Sequence, residues 1–249
     1  MLKLSSKSLW FAGCIGAVAL WSSLASAGIV ITGSRVVYPA KDREVTVKMT
    51  NNAEEPSLVQ AWVDKGDSKL TPDKADGPFL ITPPITRVEP KKGQALRLVY
   101  TGDEAASKKQ ESVFWLNVLD VPPMPKDKEA NFLQVAVRSR LKIFYRPDGL
   151  PGSPSQAAEG LKWSIIQAPH GYALRARNDA AFHVSLAAVA LETNGKSYQV
   201  KPEDVKMVAP GASADFPVQG LNTPPGAGTE VDFQWVNDWG TSQKLEAKL

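Results

Sequence analysis

From Gly28 onward, the apolar residues recur at every second position or in short runs that end at proline, glycine, asparagine or aspartate. Residues 45–49 alternate in this way and are followed by Thr50-Asn51-Asn52. Such alternation indicates a strand with one buried face, and the residues after it indicate a turn. No segment has a convincing helical period. We therefore predict an all-β fold.

A segment rich in proline and glycine, residues 147–155, divides this pattern into two parts. Each part contains several short strands at regular spacing, which is typical of immunoglobulin-like β-sandwiches. We predict a first domain over 28–147, a linker over 148–158 and a second domain over 159–249. The predicted strands are 45–49, 58–63, 96–100, 113–118 and 132–145, then 161–166, 172–176, 184–191, 197–200, 214–218 and 231–236. Asn194-Gly195 predicts a hairpin turn.

Residues 1–27 have the features of a signal peptide. Lys3 and Lys7 precede an apolar stretch over 9–20, and Ala25-Ser26-Ala27 matches the small residues that signal peptidase requires. We predict cleavage after Ala27. The apolar stretch is shorter than the roughly 20 residues that a spanning helix needs. The sequence therefore predicts an exported protein without membrane insertion.

The composition excludes several classes of function. The net charge of +3 falls to +1 without residues 1–27, which argues against nucleic-acid binding through overall charge. The only cysteine is Cys14 and the only histidines are His170 and His183, too few for a usual zinc or copper site. We expect no metal, cofactor or disulfide scaffold. An enzyme would need His170 or His183 as its base, and no nucleophile motif accompanies them. An exported adhesion or ligand-binding module stays open, because the fold alone permits it.

The longest strand candidate closes the first domain, over 131–147. Its alternation places Leu133, Val135 and Val137 on one face. An ordinary sandwich strand with this face in its own core would explain the pattern, because alternation does not say which face is buried. A long strand at the end of a domain is otherwise an edge that proteins blunt with charges, unless another chain pairs with it.

Several motifs in a fixed order carry a family resemblance over nearly the whole chain after residue 27. It resembles the periplasmic pilus assembly chaperones of the chaperone/usher pathway, the PapD-like family. The motifs are Gly33-Ser34-Arg35 with Tyr38; Gln60-Ala61-Trp62; Thr82-Pro83-Pro84; Gln110-Glu111-Ser112 with Phe114-Trp115-Leu116-Asn117; Val121-Pro122-Pro123; residues 142–147; and Asn237-Asp238-Trp239-Gly240. The resemblance is stronger in the first domain than in the second.

The resemblance implies a boomerang of two immunoglobulin-like sandwiches and a role in the periplasm. Leu133, Val135 and Val137 would fill the groove of an incomplete pilus subunit, completing its sheet by donor-strand complementation. Arg35 and Lys142 would anchor the C-terminal carboxylate of that subunit. The implied partners are pilus or fimbrial subunits and an outer-membrane usher, and the exposed donor strand could pair with a second copy when no subunit is present.

Two further expectations come from the resemblance, and one comes from strand alternation. Arg97, Glu111 and Asp238 would form ion pairs between the domains, and the Thr82-Pro83 bond would be cis. Lys142 has the opposite parity to Leu133, Val135 and Val137, so it faces the other side of an unbroken strand. A shared face would require a bulge or twist between Val137 and Lys142.

Overall fold

The computed structural model describes residues 28–102, 109–125, 131–169, 171–226 and 228–249. The predicted signal peptide, its cleavage site after Ala27, Cys14 and His170 lie outside these residues. In the part of the chain that is described, no helix is both long and apolar enough to cross a membrane.

Two antiparallel-rich sheets form the first domain. Its strands are β1 (Ile29–Ile31), β2 (Arg35–Pro39), β3 (Val45–Asn51), β4 (Ser57–Asp64), β5 (Phe79–Thr82), β6 (Ile85–Val88), β7 (Gly93–Tyr100), β8 (Ser112–Val121) and β9 (Val137–Arg146), with a short 3-10 helix at Pro72–Lys74. One sheet has the order β1-β3-β7-β5 and the other β2-β9-β8-β4-β6. The alternate residues that face inward close a core between the sheets, including Met49, Leu96, Leu98, Leu116 and Ile143.

The second domain is also a sandwich. Its elements are α1 (Pro154–Glu159), β10 (Lys162–Ala168), β11 (Gly171–Arg177), β12 (Val184–Thr193), β13 (Lys196–Gln199), a 3-10 helix (Pro202–Asp204), β14 (Met207–Val208), β15 (Ser213–Pro217), β16 (Glu230–Val236) and β17 (Ser242–Lys248). One sheet has the order β10-β11-β15 and the other β13-β12-β16-β17, with β14 beside β12. The all-β prediction with two sandwiches is confirmed. Asn194 and Gly195 both have positive φ, 52° and 69°, and form the predicted hairpin turn between β12 and β13.

The predicted linker over 148–158 is too long. Helix α1 begins inside it, where the Ser153 hydroxyl accepts a hydrogen bond from the Gln156 amide and caps the first turn. Ala157 and Ala158 are buried in the core of the second domain. The end of the predicted linker therefore belongs to that domain. The six residues of α1 complete fewer than two turns, which is too short to produce a readable helical period.

Strand β9 is shorter than the predicted strand over 132–145, because it begins only at Val137. Its pairing with β8 runs without a shift from Ser112 opposite Tyr145 to Asp120 opposite Val137. No bulge therefore separates Val137 from Lys142, and the two side chains lie on opposite faces of the strand. The Thr82-Pro83 bond is cis, as predicted.

Candidate functional site

Two cations lie together where the domains meet. Parallel pairing of β2 with β9 places Arg35 directly opposite Lys142. The Arg35 Nη1 donates a hydrogen bond to the Val236 carbonyl oxygen at 2.7 Å, and the Lys142 Nζ donates to the Ser185 hydroxyl at 3.4 Å. Val236 and Ser185 belong to the second domain, so the cation pair reaches across the junction.

The pair has no close counter-charge among the residues that the structure describes, because no carboxylate lies within 4.0 Å of either cation. Burial lowers the pKa of Lys142, and the nearby charge of Arg35 lowers it further. Burial also lowers the pKa of Arg35, although Asp238 and Glu111 act in the opposite direction. The Arg35 Nε is buried and donates to no described protein atom. Two half-buried cations with unused donors have the charge and the hydrogen-bond donors that binding an anionic group such as a carboxylate requires.

An open strand edge starts at this pair of cations. Strand β2 pairs only with the last five residues of β9, from Lys142 to Arg146. On the same side, the main chain over 137–141 pairs with no described segment, and neither does the main chain over 131–136. Unpaired main-chain groups of this kind can accept an added strand.

The three predicted donor residues are exposed along this edge. The exposed fractions are 87% for Leu133, 59% for Val135 and 56% for Val137. They share the odd parity of Leu141 and Ile143, which point into the core of the first domain. Large apolar side chains clustered at the surface mark an interaction site. Val137 and Lys142 lie on opposite faces of β9, and Leu133 and Val135 lie in the exposed segment that precedes the strand.

The even-numbered face of β9, which carries Lys142, also carries Arg138 and Arg140. The Arg138 guanidinium stacks 4.8 Å from the Trp62 ring, and that of Arg140 lies 4.2 Å from the Trp115 ring. The Arg140 Nη2 also donates to the Asp64 Oδ1 at 2.5 Å. These contacts hold the back of the strand against its own sheet.

Asp64 is the buried carboxylate at the centre of this face, with none of its side chain exposed. Burial alone would raise the pKa of Asp64, but hydrogen bonds from Arg140, Asn117 and the Gly66 amide outweigh it and lower the pKa below 3.8. A lowered pKa means that ionised Asp64 stabilises the folded state above the unfolded pKa, and that this contribution disappears as pH falls through the folded pKa.

We therefore expect Asp64→Asn to be less stable than the wild type at neutral pH and to approach it in acid. The difference in the free energy of unfolding should be constant above about pH 5 and shrink below the unfolded pKa of 3.8. Denaturant titrations of both proteins between pH 7 and pH 2.5 measure it. A difference that grows on acidification would contradict the assignment.

A network of charges joins the domains beside the cation pair. Glu111, with 1% of its side chain exposed, accepts from the Arg146 Nη2 at 2.8 Å. The Arg146 Nη1 donates to the Asp238 Oδ2 at 2.7 Å, and the backbone amide of His183 donates to the Glu111 Oε2 at 2.9 Å. Burial alone would lower the pKa of Arg146, but the hydrogen bonds to Asp238 and Glu111 raise it. The guanidinium also lies 5.2 Å from the Phe182 ring.

The structure corrects one residue of this network. Glu111 and Asp238 come together as the sequence predicted, but Arg97 takes no part. Arg97 lies on β7 with 56% of its side chain exposed, 3.9 Å from Glu44 of the same domain. Arg146 is the residue that the prediction missed. A signal existed, because Arg146 lies within the motif over 142–147.

Of the two histidines considered as catalytic bases, His183 is described. Its ring Nδ1 lies 3.0 Å from the Glu111 Oε2, within the network that joins the domains. In the described ranges, no three histidine, cysteine, aspartate or glutamate residues are grouped so that they could hold a metal ion.

The two-domain sandwich, with cations at the domain junction and an apolar open edge, places the protein in a class of two-domain β-sandwich chaperones. The chain belongs to the pilus assembly chaperone family: residues 28–151 match the N-terminal domain of the pili and flagellar-assembly chaperone PapD, and residues 156–247 match the C-terminal domain of the pili assembly chaperone PapD. The resemblance predicted from the motifs is confirmed. Membership of this family favours the chaperone function over the alternative of an adhesion or ligand-binding module.

Individual relatives agree with this assignment. The chain is 41% identical over 245 residues to the probable fimbrial chaperone YadV of Escherichia coli K12, covering 97% of this chain and 96% of the relative. It is similar to the crystal structure of the YadV chaperone, with a TM-score of 0.77 and 40% identity, covering 90% of this chain and 100% of the other. A complex of the Salmonella enterica SafA pilin with the SafB chaperone gives a TM-score of 0.73 at 25% identity, covering 89% and 96%.

Proposed function

We propose that the protein is a periplasmic chaperone that binds, folds and caps pilus or fimbrial subunits by donor-strand complementation and delivers them to an outer-membrane usher. One observation carries the proposal. The open edge of β9 and the unpaired segment just before it bear the exposed Val137, Val135 and Leu133, and this edge ends at Arg35 and Lys142. The SafB chaperone, similar in fold, is found in complex with a pilin.

Charge selects the direction of the added strand. Strand β2 begins at Arg35 and runs parallel to β9. A subunit strand that extends the line of β2 beside 133–141 would bring its last residue to Arg35 and Lys142 if it runs parallel to β9. An antiparallel strand would instead bring its N-terminal end to the two cations, and a terminal ammonium there would be repelled. The cations therefore favour a parallel strand that ends in a free carboxylate.

The two faces of β9 would then have separate tasks. Leu133, Val135 and Val137 enter the groove of the subunit, and each such side chain contributes roughly 1.5–3 kcal/mol on full burial. Each charge-assisted hydrogen bond to the carboxylate contributes roughly 1.5–3 kcal/mol. The anchor also sets the register, since a slip of one residue would turn every side chain to the wrong face.

The remaining parts of the proposal rest on sequence. Residues 1–27 direct export, with cleavage after Ala27.

The domain junction lies at the end of the motif over 142–147, so the boundaries that we propose are 28–147 for the donor domain and about 154–249 for the second. Without a subunit, the exposed apolar edge provides a surface through which two copies can pair.

The test is mass spectrometry of periplasmic proteins that co-purify with the tagged protein. We expect the wild type to recover small pilin-like subunits at equimolar level, and Arg35→Ala/Lys142→Ala to recover at least tenfold less, because the carboxylate loses both partners.

The matched control is Lys48→Ala/Arg97→Ala, which removes two cations from the other sheet of the same domain and should recover subunits at the wild-type level. An adhesion or ligand-binding module would keep its partner when Arg35 and Lys142 are removed. Equal recovery by both double variants would therefore contradict the carboxylate anchor.

A further inference from the structure

One aromatic side chain is more exposed than its type normally allows. Trp239, in the turn between β16 and β17, has 86% of its surface exposed. Tryptophan is highly buried on average, and when it lies at the surface it is enriched at binding sites. The other described tryptophans are at least partly buried: Trp62, Trp115, Trp163 and Trp235.

Hydrogen bonds organise the turn that carries Trp239. The Asn237 Oδ1 accepts hydrogen bonds from the amides of Trp239 at 3.1 Å and Thr241 at 3.0 Å. The Gly240 amide donates to the Asn237 carbonyl oxygen at 3.0 Å. Asp238 is held by Arg146 from the first domain. These hydrogen bonds hold the backbone of Trp239 in the protein without a partner, and such preorganisation lowers the entropic cost of using its side chain.

The same turn lies beside Arg35, one member of the cation pair. Val236, three residues before Trp239, accepts the hydrogen bond from Arg35. Gly240, one residue after it, packs against Ser34, and a Cβ there would collide with the Ser34 hydroxyl. Its φ of +83° also favours glycine. Trp239 therefore lies at the rim of the site where Arg35 and Lys142 meet.

We propose that Trp239 is part of the subunit-binding surface, where its indole packs against the terminal residues of the subunit whose carboxylate Arg35 and Lys142 hold. This inference rests on the proposed function. Its basis is continuity: the last residue of β16, Val236, supplies the Arg35 contact, and the turn that follows supplies the exposed ring three residues later. The cations bind the charge of the chain end, and the indole covers the apolar surface beside it.

The experiment uses a peptide with the C-terminal sequence of the subunit recovered by the wild type, prepared as the free acid and as the C-terminal amide. Isothermal titration with the mature protein measures both affinities. We expect Trp239→Ala to bind the free acid about tenfold more weakly and Trp239→Phe within about threefold of the wild type. Replacing the free-acid peptide by the amide should lower the affinity of the wild type and of Trp239→Ala by the same factor, because the indole does not contact the carboxylate.

Two controls separate a binding role from a structural one. Leu80→Ala removes another exposed apolar side chain, 57% exposed on β5, and should bind as the wild type does. The thermal midpoint of Trp239→Ala should equal that of the wild type, because the indole is exposed.

Wild-type affinity in Trp239→Ala, with binding lost in Lys142→Ala, overturns the inference and leaves the proposed function intact. Suppose instead that Lys142→Ala also binds the free-acid peptide normally and the wild type binds the amide peptide normally, or that the wild type recovers no subunit. The inference and the proposed function are then both overturned.

Discussion

We expect Val135→Glu to give a folded protein that recovers no pilus subunit. Val135 is 59% exposed and precedes the first residue of β9, so a glutamate there is solvated in the free protein and costs little stability. In the complex the same side chain would enter an apolar groove. An unpaired carboxylate in such a site costs several kcal/mol, which exceeds the roughly 1.5–3 kcal/mol that one buried valine contributes.

The matched control is Ala136→Glu. Ala136 is the next residue, is also exposed, and has the opposite parity, so its side chain points away from the groove in an extended donor strand. Ala136→Glu adds the same charge to the same segment as Val135→Glu. The two variants are compared by co-purification of subunits and by thermal unfolding. Equal subunit recovery by the two variants would show that the odd-numbered face of this segment does not enter the subunit.

The sequence predicted strands well where a strand packs in its own sandwich. In β9, Leu141 and Ile143 alternate into the core of the first domain, and this part was predicted correctly. Leu133 and Val135 continue the same alternation, but the structure has no strand there. A period of two reports that one face is apolar, and it cannot report that the sheet to be completed belongs to another protein.

The charged network shows a different limit. Glu111 and Asp238 were predicted from motifs, and the structure joins them through Arg146, which lies 35 and 92 residues away along the chain. Arg97 and Arg146 both lie on strands, and local patterning does not distinguish a solvated arginine from one at a domain junction. Only the packing of the two domains decides this, and that packing depends on contacts far apart in sequence.

We expect Arg146→Ala to lower the free energy of unfolding by about 3–5 kcal/mol, because it leaves the Glu111 carboxylate buried without its main counter-charge. Only 1% of the Glu111 side chain is exposed, against 20% for Arg146. Asp238 loses its partner as well, but its side chain is 29% exposed, so water can replace part of the hydrogen bonding that Arg146 provided. Chemical denaturation followed by tryptophan fluorescence measures the change.

Arg97→Ala is the control, and it should change stability by less than about 1 kcal/mol, because its contact with Glu44 is an exposed pair. The double variant Arg146→Ala/Glu111→Gln should recover part of the loss, since no buried charge is then unpaired while the amide oxygen of Gln can still accept from the His183 backbone. Equal stability of Arg146→Ala and Arg97→Ala would mean that the network does not hold the domains together.

Arg146→Ala also tests whether the charged network between the domains supports the site formed by Arg35 and Lys142. Lys142 and Arg146 lie four residues apart on β9, both on the face that meets the second domain. Arg35 and Lys142 reach Val236 and Ser185 only while the two domains keep their relative position. Arg146→Ala should therefore broaden the distance distribution in small-angle scattering and lower subunit recovery, although it touches neither the anchor nor the donor residues. Unchanged recovery with a broadened distribution would show that subunit binding tolerates movement between the domains.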